Sequence, residues 1–583
     1  MKSTFYILSI GLLFTYGCQS DQSNKSFNRN PKELVIRLEA EPDQLNPLLK
    51  TNAYAAQVLD GIFSYLLTID HNTFELLPYA VKSLPQIKPI EEGPWKGGLT
   101  YAFEILEEAS WDDGTPITGN DYVFSLKTAL HPEVPAQHIR PYLTFIKDVL
   151  VDSINPKKFT VYTGEPYILG LAAIGNSIQL LPAHLYDPEG WLSNIPFAIF
   201  TDETQLEKEL SNNQNLQQFA SYFTQEKFSR APESIQGSGP YRLVSWETGQ
   251  QIVLERKKEW WGDQAKDKNP VLRALPEKII YKPIINTGTA IAALKSEEID
   301  VLTKIDPANF QDLLNDPTLN QKFHFETPLS LIYYFIALNT QDGLLSDRNV
   351  RQAIAYAVDI DEIIEKLYNG NAQRTISPVI PSASYYNSNI EPYSFNPNKS
   401  EELLEQVGWT DSDGDGYYDK IIQGKKEKLE VRLAIPANSE NARNLGILVQ
   451  DNAKLAGISI VLEPKEGAVL LADWRNKNYQ MTLSGSTISP DFWDPKQRLH
   501  SEGDNRTGFG NQYTDDLIDA IRITQDEKMR TEKYMELQNI LHEEVAHIYL
   551  FVPTERLAIH KRYEPITTPL APGFVSHFLK LRE

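Results

Sequence analysis

The sequence predicts an α/β protein assembled from several lobes. Segments with the period of a strand alternate with segments of helical period along the whole chain, and no short repeat recurs. The 583 residues suffice for several domains at roughly 100–200 residues each. Apolar residues make up 41% and aromatics 10%, well above disordered composition, so a substantial buried core is expected.

The elements follow in order. Residues 33–38 (ELVIRL) read as a strand, and 41–47 (EPDQLNP) as a loop. Residues 53–67 carry apolar side chains at helical spacing. Residues 99–106 alternate as a strand does, and 111–116 (WDDGTP) form a turn. A helix is predicted over 121–130 with Asn120 as its cap. Residues 240–246 and 250–256 make a hairpin through the Glu247-Thr248-Gly249 turn. Successive helices are predicted over 347–358 and 359–369. Asp359 with Glu362 marks the start of the second and Gly370 its end. Residues 529–545 give a further amphipathic helix.

The first residues have a different character. Lys2 is followed by an apolar run, 5–14 (FYILSIGLLF), that is too short to span a bilayer of about 30 Å. It ends in Gly17 and Cys18, the only cysteine of the chain. The layout is that of a signal peptide, and its end resembles a bacterial lipoprotein cleavage site. Cleavage would leave Cys18 as an acylated N-terminus, with the polar residues 19–31 as a tether. The alternative is an ordinary secretory signal with an incidental cysteine, and Tyr16, bulky for its position, keeps it open. Both place the mature chain outside the cytoplasm. A single cysteine permits no internal disulfide. No later segment is apolar enough to span a membrane. The formal net charge of −22 argues against nucleic acid as a partner, because phosphate contacts need a basic surface.

A set of short segments, in order along the chain, resembles one known family. They are 63–67 (FSYLL), 77–80 (LPYA), 111–125 (WDDGTPITGNDYVFS), 237–243 (GSGPYRL), 251–256 (QIVLER), 260–262 (WWG), 293–300 (ALKSEEID), 350–359 (VRQAIAYAVD) and 404–409 (LEQVGW). Each is weak alone; their order makes the signal specific. The chain resembles the extracytoplasmic solute-binding proteins of the peptide and nickel class, family 5 of the receptors serving ATP-binding-cassette importers, in lipoprotein form. The resemblance implies a two-lobed periplasmic-binding-protein-like α/β fold (class II) with an extra domain inserted in the first lobe. The expected divisions are a signal peptide 1–17, a lipidated tether 18–31, lobe I from 32–70, 175–285 and 546–583, the inserted domain 71–174, and lobe III from 286–545. It also implies a receptor rather than an enzyme, with no cofactor or resident metal. The chain would act as a monomer with a permease and an ATPase as partners, on the periplasmic or cell-surface side of a bacterial membrane.

Peptide binders of this family hold an extended ligand by its main chain in a cleft between lobes, as in strand addition. A ligand α-ammonium then needs a carboxylate. The resemblance places that anchor at Asp491, three residues before the Asp494-Pro495 pair; a loop aspartate capping the amides of Trp493 or Asp494 is its other role. Two departures stand out. Pro490 reads as an insertion, and the tryptophan usual just upstream is absent, so Trp493 is the candidate aromatic wall. Arg475 is the candidate for a ligand carboxylate, against a plain surface arginine. Ser238 occupies a turn that often faces ligand in relatives, against simple turn packing. Tyr54 is a further candidate.

Two motifs are demoted. Residues 542–547 (HEEVAH) are one residue longer than the zinc-protease pattern, and histidines five apart lie about 140° around a helix, so they cannot share a metal. Residues 411–419 (DSDGDGYYD) resemble the start of a calcium loop, but position twelve is Ile422 rather than glutamate, which favours a solvated turn. Other cargoes stay open. Oligosaccharides would use the 28 tyrosines, while the 10 histidines are scattered for a metal-chelate site. A secreted hydrolase lacks a Gly-x-Ser-x-Gly or His-Glu-x-x-His motif.

Overall fold

The computed structural model describes residues 32–582 apart from Thr51, Lys268, Ser382 and 489–492. Two large mixed sheets organise it. The first has seven strands in the order Phe323–Glu326, Leu557–His560, Val301–Leu302, Glu33–Leu38, Lys278–Pro283, Gln251–Arg256, Tyr241–Glu247. Glu33–Leu38 is central and runs parallel to both neighbours; the other pairings are antiparallel. Five of its six residues are buried, as a strand covered on both faces requires. The second sheet has six strands in the order Ala372–Arg374, His547–Pro553, Ile332–Leu338, Met481–Thr487, Glu430–Pro436, Ser459–Lys465.

A four-stranded antiparallel sheet lies within the segment expected to be inserted: Gln86–Pro89, Leu99–Glu104, Lys158–Thr163, Ile146–Val151. It does not fold around a separate centre. Phe103, Tyr122 and Phe159 share one continuous apolar cluster with Leu34, Ile36, Tyr241 and Leu254 of the first sheet. Burying this insert and the first sheet together makes them one cooperative body.

The lobes divide at places other than those expected. Val301–Leu302 and Phe323–Glu326 pair into the first sheet, and His547–Pro553 pairs into the second. The chain therefore changes lobe at 327–331 and 554–556, whereas the sequence placed the changes at 286 and 546. Periodicity identifies a strand but not the sheet it joins. The two crossovers are paired with each other: Leu329 bridges Thr554, Ser330 N–H donates to the Pro553 carbonyl at 2.9 Å, and Glu555 N–H donates to the Pro328 carbonyl at 2.7 Å. A two-stranded ribbon of this kind can bend at a few residues.

The lobes are in contact. Ile69, Phe74 and Leu570 of the first pack on a cluster that includes Tyr333, Phe335, Ile380 and Tyr549 of the second. At the far side, the Arg522 guanidinium lies 5.3 Å from the Tyr167 ring centroid, and Arg522 Nε donates to Asp494 at 3.1 Å. Asp494 also neighbours the Tyr167 hydroxyl, so burial first and this carboxylate second push the phenol pKa up.

Local signals set the helices. Residues 53–67 form a helix only over Ala53–Ile62; the chain turns extended at Phe63. The helix expected from Asn120 begins earlier, at Gly119, because Thr118 and Asp121 form a reciprocal capping box. Asp359 accepts from Glu362 N–H as predicted, and Asn369 closes that helix at φ 50°, with Gly370 at φ 73°. Among the described residues, no helix is long and apolar enough to cross a membrane.

Candidate functional site

Parallel strands present their carboxyl ends on one side of a sheet, where ligands of open α/β folds bind. Glu33–Leu38 and Val301–Leu302 end together, which brings Glu39 and Lys304 beside the crossovers. Glu39 lies 3.7 Å from Arg37 and 3.6 Å from Lys304, and accepts from the Tyr54 hydroxyl at 3.2 Å. Glu555 and Arg556 of the second crossover complete the group. Burial raises the Glu555 pKa against the pull of Lys304 and Arg556. Arg556 Nε donates to the Ile305 carbonyl at 2.6 Å, which ties the crossover to the first sheet. Tyr54 therefore belongs to a charge network that reaches the second crossover.

Two cavities adjoin the seam between lobes. In the first lobe, spaces of about 300 Å³ and 190 Å³ share Asp60, His71, Leu570 and His577 as walls. Asp60 is exposed to the space that it lines. Burial raises its pKa to about 6; Lys50 and a hydrogen bond from Tyr65 pull the other way. Burial lowers His577 to about 3 and His71 in the same direction, so both imidazoles are neutral.

In the second lobe, a cavity of about 230 Å³ is lined by Trp474, Gly485, Gln497, Arg498, Asp504, Arg506, Thr507 and His547. Arg498 donates to the Ser486 hydroxyl and makes no ion pair among the described residues. Arg506 pairs with Asp504 and stacks 4.4 Å from the Trp474 ring centroid. Burial, then Arg498, holds the His547 pKa at about 3, and its Nδ1 is buried without a hydrogen-bond partner. The arrangement offers fixed positive charge and aromatic walls, the chemistry that receives a carboxylate.

The predicted site residues fare differently. Asp491 and Cys18 lie outside the described residues. Ser238 faces no cleft: it is 1% exposed, its hydroxyl pairs with Ser64, and its carbonyl accepts from Trp260 Nε1 at 3.0 Å and Trp261 Nε1 at 2.9 Å. It locks the turn against the paired tryptophans. Trp493 is no cleft wall either. It packs with Val379, Tyr385, Ile518 and Tyr534 inside the second lobe, its N–H held by the Tyr385 hydroxyl at 3.1 Å. Arg475 ends the helix Gly467–Arg475 and is exposed. The arginines that line the cavity are Arg498 and Arg506, which the sequence reading passed over; their signal was proximity to the Asp494-Pro495 pair. The histidines of 542–547 fall on different elements, since the helix Glu527–Glu544 ends before His547 begins a strand. Asp411, Asp413 and Asp419 converge, but Lys426 pairs with Asp413 at 2.7 Å and Asp419 at 3.1 Å, and Asp411 accepts from three backbone N–H groups.

Comparison with known proteins agrees with this architecture. Residues 90–508 match the model described as bacterial extracellular solute-binding proteins, family 5 middle. The oligopeptide-binding protein AppA of Bacillus subtilis (strain 168) is 24% identical over 586 residues, covering 97% of this chain and 95% of that protein. The nickel-binding periplasmic protein of Escherichia coli (strain K12) is 24% identical over 58% of this chain and 62% of its own length. Among solved structures, Bacillus subtilis AppA in complex with a nonapeptide superposes with a TM-score of 0.64 at 21% identity, over 94% of this chain and 99% of that one. NikA from Brucella suis in complex with Fe(III)-EDTA gives 0.72 at 19% identity, over 94% and 100%. With more than half its length matched by the family model, the chain belongs to family 5 of the bacterial extracellular solute-binding proteins.

Proposed function

We propose that this family 5 binding protein takes up peptide-like solutes between its lobes and delivers them to an ATP-driven importer, held at the membrane by lipid on Cys18. Proteins of this family are binding proteins, not enzymes. The single observation that carries the cargo assignment is similarity to an oligopeptide-binding protein over nearly the whole of both chains. The arginine-lined second-lobe cavity supports it, with Arg498 for the α-carboxylate of an extended ligand; Asp491 is assigned the α-ammonium on the family resemblance. The crossover ribbon supports closure by hinge bending. Release of a Cys18→Ser variant from membranes would test the anchor, and unchanged membrane fractionation would remove it.

Calorimetry with tetra-alanine, free and N-acetylated, tests the cargo and the anchor together. Asp491→Asn should weaken the free peptide by at least about tenfold, since stranding one partner of a buried charge pair costs about 2–5 kcal/mol. The acetylated peptide brings no ammonium and should lose far less. Equal losses would make Asp491 a structural loop residue. If the wild type bound no peptide at all, the cargo would move to oligosaccharides or metal chelates.

A further inference from the structure

We propose that the first-lobe cavity is a subsite for a cationic side chain of the bound solute, with Asp60 as its charge partner. This deepens the peptide reading and rests on it.

The argument starts from what lines the space. Ala56, Leu570, Phe574 and Val575 supply apolar wall, suited to the methylene stem of a lysine or arginine. Asp60 is the one carboxylate among the lining residues, and no lysine or arginine is among them. His71 and His577 are held neutral by burial. The cavity therefore carries a single formal charge, and it is negative.

That charge is poorly compensated. Tyr65 donates one hydrogen bond to Asp60, and Lys50 attracts it, but the Lys50 ammonium is not in the cavity wall and is engaged by the Pro47 carbonyl at 2.6 Å. These partners do not offset burial, which leaves the carboxyl titrating near 6. An aspartate serving only the fold would have its oxygens saturated by fixed donors, as Asp187 has with two backbone N–H groups at 2.8 and 2.9 Å. His71 adds a second unfilled position, because its Nδ1 is buried without a hydrogen-bond partner. An ammonium or guanidinium brings several N–H donors and can satisfy both groups. A carboxylate would be repelled, and a neutral apolar side chain would desolvate Asp60 without adding a donor.

The cavity adjoins the ligand cleft. Ile69 and Leu570 line it and also pack on the Tyr333 and Tyr549 cluster of the second lobe. A peptide lying along the seam would therefore run past this space.

The test uses calorimetry on the mature protein with tetra-alanine in which one alanine is replaced by lysine, norleucine or glutamate. At one position lysine should bind at least about tenfold tighter than norleucine, a ratio worth ~1.4 kcal/mol, and Asp60→Asn should bring that ratio close to one. Ala56→Leu, which fills the space without touching the charge, should lower the same ratio. A lysine-to-norleucine ratio unchanged by Asp60→Asn overturns the proposal. If no peptide binds, the peptide reading fails separately and agmatine decides the subsite. A thermal shift of the wild type by agmatine that Asp60→Asn abolishes supports it, and no shift in either protein overturns it.

Discussion

The two cavities beside the cleft have similar sizes and opposite electrostatics. The first-lobe space is built on one carboxylate, Asp60, with neutral imidazoles around it. The second-lobe space is lined by two guanidiniums, Arg498 and an Arg506 that pairs with Asp504, so its net charge is positive, and its imidazole is neutral. In both, burial favours the uncharged form of the titratable group: the Asp60 pKa rises and the His547 pKa falls. An arginine resists this pressure because it stays protonated, whereas an aspartate yields to it. One wall therefore holds a permanent charge and the other a charge that is present at neutral pH and lost as pH falls below about 6.

The largest expected effect is on the permanent charge. Arg498→Ala should weaken peptides with a free C-terminal carboxylate by about 1.5–3 kcal/mol, the range for hydrogen bonds to charged groups. C-terminal amides should change little, and calorimetry on both forms separates them. Equal losses would remove the second cavity from ligand recognition.

Of similar size is the acid response of the same wall. The His547 pKa in the fold, about 3, lies below the unfolded value near 6.5. Between those values the unfolded chain binds more protons, so stability is fully present above pH 6.5 and falls as pH drops toward 3. At pH 4.5 the loss from this one group is about 2–3 kcal/mol. His547→Gln should unfold in denaturant with a smaller difference between pH 7.5 and 4.5 than wild type. An identical difference would mean that His547 is already solvated.

A smaller effect concerns what holds the two walls together. Tyr167→Phe removes the hydroxyl that meets Asp494 across the lobes. Losing one such hydrogen bond costs about 0.5–1.5 kcal/mol, so a bound peptide should leave about two- to tenfold faster by stopped flow. Unchanged release would show that this contact forms in the open state as well.

The smallest expected effect is the pH response of Asp60, and its sign is reversed. Its folded pKa lies above the unfolded one, so stability is greatest in acid and declines as pH rises from about 4 to about 6. Cavity water screens the carboxylate, and the change should stay below about 1 kcal/mol. Asp60→Asn should flatten the thermal-stability profile across that window. A steeper profile in the variant would contradict the burial of this carboxyl.

How far the sequence reached depends on the range of the interactions. Strands such as Leu99–Glu104 and the hairpin from Tyr241 to Arg256 were legible because period-2 patterning and a Gly turn are local signals. The cap at Asp359 was legible for the same reason. Thr118 was missed as a cap because Asn120 is an equally good capping residue two positions on, and only the reciprocal bond with Asp121 chooses between them. Ser238 and Trp493 were candidates to face ligand, with simple turn packing the alternative for Ser238. Their true environments depend on Ser64, Trp260, Tyr385 and Tyr534, which are distant in sequence.

By itself the sequence determined the α/β class, the family and the positions of most regular elements. These follow from periodicity, capping and turn chemistry, which act over a few residues, and from the order of short motifs. The tertiary structure decided where the chain changes lobe, which strands neighbour each other and which charges meet. Asp60 and His577 come from opposite ends of the chain, and they share a cavity only because the C-terminal segment returns to the first sheet, where Leu557–His560 pairs with Val301–Leu302. Burial and long-range pairing are properties of the folded whole, and no local pattern encodes them.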